Sequence, residues 1–478
     1  MAITDKVWKM ADVLRKSGVA FTDYVAQLTY LLFLKMDAEQ AEYYEQTPLI
    51  PAGCRWQDLL PLDGPELAQK YSACLKQLAE CPNIIGVIYY QAANKITAPA
   101  NLRRVIEMID GEQWCTLDED VKGTVYESIL EKNASAEKGA GQYFTPRALI
   151  RAIVEVMRPQ ASMSIHDPFC GTGGFLLGAY EYIRAQHTEA TDLRRLQDQG
   201  LSGNDITPLV VSLGSMNMYL HGIGCRPGAE LPIRCCDTFA RQEERAFDMV
   251  LANPPFGTGA SIQDSAALAL TDDRFFAPTA NSQLNAVQHI MAVLKPYGRA
   301  AVVVPDNVLF ESGSGEQVRR RLLSGFNLHT ILRLPTGIFY AQGVQANVLF
   351  FDKRPADRQE YHTEAVWVYD YRTDVKHTLV RSPLTREHLQ DFVDCYCAAD
   401  FTARRETYSP QNPNGRWRRF PIEEVLKRPN TNFDFRWLTP QTPTIEGSVD
   451  ELLDLLADEI TTQNRALAEL RALLTPSR

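Results

Sequence analysis

The chain has 478 residues, 45% apolar and 23% charged, with a formal net charge of −10; this is the composition of a globular protein, with two to four domains at about 150 residues each. No apolar run approaches the roughly 18 residues of a membrane span, and ten cysteines without a CxxC pair argue for reduced structural thiols and against a zinc site. The acidic total argues against a protein that grips DNA unaided, because phosphate neutralisation asks for a basic face; a partner would share that grip.

Residues 1–17 mix charges with apolar positions at helical spacing and lack a signal-peptide pattern, so a cytoplasmic protein is expected. Up to about 135 the chain reads as helical. Trp8, Ala11, Val13 and Leu14 fall on one face, and Val25, Leu28, Leu31, Leu32 and Met36 continue the 3.6-residue period in a second helix. Leu102, Val105, Ile106 and Ile109 make a third stripe before the Asp110-Gly111 stop. Core packing accounts for all three, and the region is expected to be a helical docking or regulatory domain over 1–135.

From about 136 to 400 strands and helices alternate, which indicates an α/β unit with a largely parallel sheet. Strands are expected near 163–169, 201–206, 232–237, 247–252, 298–304, 328–334 and 346–351, and helices over 174–187, 207–221, 281–294 and 315–325. The unit opens with Gly141-Gln142-Tyr143-Phe144-Thr145-Pro146. There Thr145 is a fair N-cap, with Pro146 at the first position of a helix carrying Leu149, Ile150, Ile153, Val154 and Met157.

The first strand runs into Asp167-Pro168-Phe169-Cys170-Gly171-Thr172-Gly173-Gly174. Glycines directly after a strand let backbone approach a ligand, and the helix that follows starts with unpaired N–H groups. The dinucleotide pattern GxGxxG fails, because Leu176 stands where its third glycine belongs. Asp167 would instead suit the cationic end of an amino acid or a sulfonium. A tight turn with no ligand is the plainer alternative. The second strand ends at Asp205, placed to accept from both hydroxyls of a ribose. The third ends at Asp237, an acceptor for an adenine amino group.

The fourth strand stops at Asn253-Pro254-Pro255-Phe256. Proline lacks an N–H and fixes φ, so the backbone leaves the sheet as a rigid extended loop. The Asn253 amide oxygen and the Pro254 carbonyl then offer two acceptors beside the ring of Phe256, a set that suits an exocyclic amino group on a planar base. An ordinary strand-end turn is the alternative. Four consecutive strands thus finish in a polar residue at the carboxyl edge, where open α/β sheets bind ligands. Leu334 to Gln345 either lines the same pocket or is a surface loop, and His166, His221 and His289 lack metal spacing.

Together, residues 141–146, 167–175 and 253–256 resemble a DNA adenine-N6 methyltransferase that uses S-adenosylmethionine. More closely, the chain resembles the modification subunit of type I restriction-modification systems, over essentially its whole length. The likeness includes Ala11-Asp12-Val13-Leu14-Arg15, Leu31-Leu32-Phe33-Leu34-Lys35 and Leu334-Pro335-Thr336-Gly337-Ile338-Phe339. Asp205 stands where relatives often carry glutamate. The resemblance implies a Rossmann-like methyltransferase sheet over 136–400, with Gln142, Tyr143, Phe144, Thr145 and Pro146 closing over the cofactor. Thr172, Gly173 and Gly174 would lie under its methionine part. It further implies double-stranded DNA as substrate, a DNA-specificity subunit, a second copy of the modification subunit and a separate restriction (motor-nuclease) subunit.

After about 400 the sheet pattern fades. Arg416-Trp417-Arg418-Arg419-Phe420 is read as a solvated strand or hairpin, or as a phosphate contact. Val449, Leu453, Leu456, Ile460, Gln463, Leu467, Leu470 and Leu474 form a heptad seam. Residues 401–478 are therefore expected to be a docking region ending in a coiled-coil-type helix, which packs on the chain's own front end or on a partner's helices. No inserted target-recognition domain and no Walker phosphate loop occurs. The remaining alternatives are a self-sufficient methyltransferase for DNA or for protein glutamine, and a non-catalytic cofactor-binding scaffold.

Overall fold

Strand β1 (Ile165–Asp167) sits inside a nine-stranded sheet with β2 (Leu201–Asp205), β3 (Ile233–Cys235), β4 (Phe247–Ala252), β5 (Leu294–Pro305), β6 (Phe326–Arg333), β7 (Ala346–Lys353), β8 (Ala365–Asp370) and β9 (Trp417–Pro421). The order is β3-β2-β1-β4-β5-β7-β6-β8-β9. Pairing is parallel from β3 through β5, antiparallel on both sides of β7, parallel between β6 and β8, and antiparallel between β8 and β9. Chain order reverses at β1, so the crevice beyond the carboxyl ends of β1 and β4 is a topological switch point. This computed structural model describes residues 3–16, 18–43, 45, 47–114, 145–186, 189–243, 245–256, 272–339, 343–355, 359–378 and 382–440. Residues 1–438 form one compact unit and 439–478 a second; the heptad seam lies outside the described residues.

Alternation along the central strands sorts two cores. Met249, Leu251, Ala301 and Val303 face one way, while Val250, Ala252, Ala300, Val302 and Val304 face the other, as a two-residue repeat requires. The first face is covered by α7 (Arg147–Met157), α8 (Gly174–Ala185) and α10 (Pro208–Leu220). The second is covered by α11 (Ser282–Val293) and α13 (Ser314–Ser324). Asn281 starts α11, its side chain accepting from the N–H groups of Gln283 and Leu284. The helices expected over 174–187, 207–221, 281–294 and 315–325 (α8, α10, α11 and α13) begin and end within about two residues of those bounds.

The front end is helical: α1 (Ile3–Lys16), α2 (Phe21–Tyr43), α3 (Trp56–Leu59), α4 (Gly64–Ala79), α5 (Ile84–Ile88) and α6 (Pro99–Asp110). The second and third expected stripes are fully buried. The first is rotated: Val7, Met10, Ala11 and Leu14 are interior, and Trp8 and Val13 are only partly covered.

These helices share a core with the sheet's cover through α10, whose residues 210–220 are all buried. Ser212 Oγ donates to the Ile88 carbonyl, and the rings of Phe33 and Tyr219 meet edge-on at 4.5 Å. No described helix is long and apolar enough to cross a membrane.

β8 lies beyond the strands expected from sequence, and β9 falls on the stretch read as a solvated strand or hairpin, but its apolar residues are not solvated. In β9, Trp417 and Phe420 are buried and Trp417 stacks on Trp367 at 5.2 Å, so this segment is integral to the sheet. The outer margin of β9 is covered: Thr407 N and Tyr408 N donate to the Trp417 carbonyl, and Arg419 N donates to the Glu406 carboxylate.

Candidate active site

β4 is buried from Met249 to Ala252 and releases its chain at Asn253. The Asn253 side chain is held from one side, its Nδ2 donating to Thr145 Oγ1 at 2.9 Å. Its Oδ1 is buried and, among the described residues, has no hydrogen-bond partner. An acceptor left this way costs about 1–3 kcal/mol, which a ligand N–H at that point would recover. Pro254 is buried as well, and among the described residues no hydrogen bond reaches its carbonyl. The next carbonyl, of Pro255, accepts from Gln283 Nε2 at 3.1 Å, which ties the loop to α11. Phe256 is half-buried and meets Phe339 edge-on at 5.3 Å.

Thr145 does not cap the helix that follows it. α7 starts one residue later than expected, with Pro146 in the cap position and its carbonyl accepting from Leu149 N and Ile150 N. The Thr145 hydroxyl is used on Asn253, 108 residues away. A long-range partner has displaced the local one.

Beyond β1 the chain turns through Gly171 at φ +54° and Gly173 at φ +83° into α8. A side chain at Gly173 is strongly disfavoured because L residues rarely adopt that φ; its Cβ would also lie 2.4 Å from Met218 Cε on α10, a flexible tip that would have to shift. From the same helix Asn217 Nδ2 donates to the Thr172 carbonyl at 3.3 Å.

Two carboxylates close the turn. Asp167, 2% exposed, accepts from Phe169 N at 3.0 Å. Asp205, 9% exposed, accepts from Gly171 N at 3.2 Å and Thr207 N at 2.8 Å. Burial pushes both carboxyl groups above the usual aspartate range, and the Asp205 charge raises Asp167 further. A cation at this point would relieve both.

β1 and β4 are hydrogen-bonded neighbours, so the glycine turn and the 253–256 loop flank one crevice. Asp237 is half-buried, its Oδ1 accepting from Phe239 N at 2.9 Å. The next residue, Thr238, donates to the Pro168 carbonyl at 2.5 Å and so pins the end of β3 to the turn after β1. Gln142, Tyr143 and Phe144 lie outside the described residues.

Sequence reading missed Ile206, Thr238, Gln283 and Phe339. Ile206, beside Asp205, is a large apolar side chain left 55% exposed at the ligand edge, and that exposure carries no mark in the sequence. Phe339 lies in a loop whose role the sequence leaves open, and its contact with Phe256 brings that loop to the site.

His166 stacks on Phe247 at 4.1 Å, and burial lowers its pKa to about 3. His289 is likewise pushed far down by burial. Among the described residues, no group of three or more His, Cys, Asp or Glu side chains could hold a metal ion.

The N-6 DNA Methylase family matches residues 117–414, and the HsdM N-terminal domain matches residues 3–109. The methylase subunit of the type I restriction enzyme StySPI, from Salmonella potsdam, is 37% identical, with 98% of this chain and 94% of that protein aligned. The EcoKI methylase subunit of Escherichia coli (strain K12) is 37% identical over the same shares, 98% and 94%. The crystal structure of the EcoKI M protein (EC 2.1.1.72) superposes with a TM-score of 0.55 at 33% identity, over 99% of this chain and 96% of that one. A chain from work on complex assembly and conformational transition of the type I R-M system gives 0.71 at 27% identity, over 99% and 98%.

Proposed function

Because the chain belongs to the N-6 DNA methylases, among the methylase subunits of type I restriction enzymes, we propose that the crevice between β1 and β4 is where it methylates adenine. It is the modification subunit of a multisubunit enzyme and a DNA adenine methyltransferase that uses S-adenosylmethionine. The observation that carries the site assignment is the buried, unpartnered Oδ1 of Asn253.

Adenine N6 is a poor nucleophile because its lone pair is delocalised into the ring. Asn253 Oδ1 and the Pro254 carbonyl each accept one N6 hydrogen, which favours a pyramidal nitrogen with its lone pair available. Phe256 stacks on the base once it has left the duplex, a step that costs a few kcal/mol. A bound S-adenosylmethionine supplies a methyl group on a sulfonium for in-line displacement. Held by these two acceptors, N6 would take up the methyl carried by the sulfonium and give up one of its two hydrogens to water as a proton. Positioning carries much of the rate.

On the cofactor side Asp167 balances positive charge, Asp205 accepts from the ribose and Asp237 serves the adenine. Gly171, Thr172, Gly173 and Gly174 give close backbone approach, and Gln142, Tyr143, Phe144, Thr145 and Pro146 complete the enclosure. Two buried carboxylates with raised pKa support a cationic ligand over a pyrophosphate.

In the same reading the helical front end covers 1–135, the catalytic region 136–400 and the docking region 401–478. The boundary at 400 divides roles, since β9 continues the sheet. A specificity subunit supplies sequence recognition on double-stranded DNA, a second copy of this chain completes the modification enzyme, and the restriction subunit adds cleavage. Its work is done in the cytoplasm. The test is transfer of labelled methyl groups to unmethylated DNA by the chain with and without its specificity subunit. Adenine N6 labelling only by the assembly is expected, and labelling of a protein glutamine instead would overturn the proposal.

A further inference from the structure

A primary amide has an acceptor end and a donor end of almost the same shape, and a half-turn about its last torsion exchanges them. At Asn253 the two ends are not equivalent for the reaction proposed above. Oδ1 toward the adenine accepts an N6 hydrogen, whereas Nδ2 toward the adenine sets donor against donor. Some neighbouring group must therefore break the symmetry of this side chain.

In the structure Thr145 Oγ1, 2.9 Å from Asn253 Nδ2, takes the donor end of the amide, while Oδ1 stays buried and unpartnered among the described residues; because a hydroxyl can also donate, this orientation holds while the hydroxyl's own hydrogen points away from the amide. Three features suit Thr145 to the task. It precedes Pro146, which restricts its backbone to extended conformations. Its branched Cβ limits the side chain's rotamers. It also contributes no side-chain cap to α7, so helix stability does not explain the hydroxyl.

We propose that Thr145 is a positioning residue of the methyl transfer, its hydroxyl accepting from Asn253 Nδ2 and so turning the amide oxygen toward N6 of the target adenine. This rests on the reading of Asn253 given above, and it assigns Thr145 an effect exerted through the amide in addition to any contact with the cofactor. The hydroxyl is needed as an acceptor, so an isosteric side chain without oxygen fills the space and fails.

The test uses this chain assembled with its specificity subunit on duplex DNA bearing the target site. Single-turnover methyl transfer is read at saturating DNA and S-adenosylmethionine. Thr145→Val should slow transfer about ten- to a hundredfold, the scale set by one lost hydrogen bond to a buried polar group. Calorimetric cofactor affinity is measured alongside, and the slowing should persist at saturating S-adenosylmethionine whatever Thr145→Val costs in cofactor binding. Thr145→Ser should restore most of the rate, and Thr145→Ala should fall with valine, which separates a lost hydroxyl from a misfit of valine.

Wild-type transfer by Thr145→Val would overturn the proposal. So would a valine defect that saturating cofactor abolishes, or a serine variant as slow as valine. If the wild-type assembly labels no adenine, the functional reading falls and takes this inference with it. If wild type labels adenine and only the variants disagree, the positioning role alone falls.

Discussion

Tyr219 of α10 donates its hydroxyl hydrogen to Oδ1 of Asp37 on α2, at 2.6 Å and across 182 residues of sequence. Asp37 is 3% exposed and also accepts from Leu49 N at 3.1 Å and Ile50 N at 3.2 Å. One buried carboxylate thus holds the helical front end to the helix that backs the glycine turn. Tyr219→Phe should cost about 1–3 kcal/mol, the range for a hydrogen bond to a charged group or a stranded partner. Urea denaturation should show a lower midpoint with an unchanged slope; an unaltered midpoint would make this contact incidental.

Asn253→Ala removes the amide oxygen proposed to hold N6. Methyl transfer should fall at least about a hundredfold, as for loss of one preorganised electrostatic partner. Cofactor affinity by calorimetry should persist, because no glycine-turn contact is touched. A folded, cofactor-binding variant that still transfers methyl groups would remove Asn253 from the chemistry.

Phe256→Ala should weaken capture of the extruded base by about 1–3 kcal/mol, the stacking worth of one aromatic ring on one base. The readout is fluorescence of 2-aminopurine at the target position, which should rise less on binding. Phe339→Ala, which removes the ring meeting Phe256 at 5.3 Å, should produce a smaller loss of the same kind.

The pH dependence follows from Asp167 and Asp205. Burial raises both carboxyl groups. Between an ordinary aspartate value of about 4 and their raised values, the folded protein holds protons that the unfolded chain has lost. Their contribution to stability is therefore present at low pH and is lost as pH rises through that window. A cationic cofactor favours the ionised carboxylates, so its affinity should increase over the same window. Melting curves of wild type and Asp167→Asn from about pH 4.5 to 8, with and without S-adenosylmethionine, test both trends. The wild-type-minus-variant difference should favour wild type less as pH rises without cofactor and more with it. A difference that does not move with pH would reject the coupling.

The parts of this site that depend on local chain chemistry could be read from the residues. Prolines after Ala252 and glycines after Asp167 stop strands wherever they stand; β4 ends with its apolar run at Ala252, and β2, though mostly polar, ends at Asp205, one residue short of the expected bound. What tertiary packing decides was not legible. Nothing in the composition of β7 marks it as antiparallel, and β8 has no Gly or Pro beside it, its end marked only by Asp370, which accepts from Arg372 N and Thr373 N. Thr145 before Pro146 satisfies the local rule for a cap, yet a partner 108 residues away claims its hydroxyl. The face of α1 was misjudged by one position because Trp8, the largest apolar residue there, is only partly covered and Val7 takes the interior place.

The covered side of β9 bears on how this subunit can join others. A bare final strand would lend its backbone to any extended segment of another chain, and misassembly by strand addition would compete with the intended complex. Here residues 406–408 already satisfy Trp417 and Arg419. This border of the sheet is closed to such recruitment, and a neighbour meeting it must be recognised by side chains on helices and loops, where identity can be checked before a contact becomes permanent.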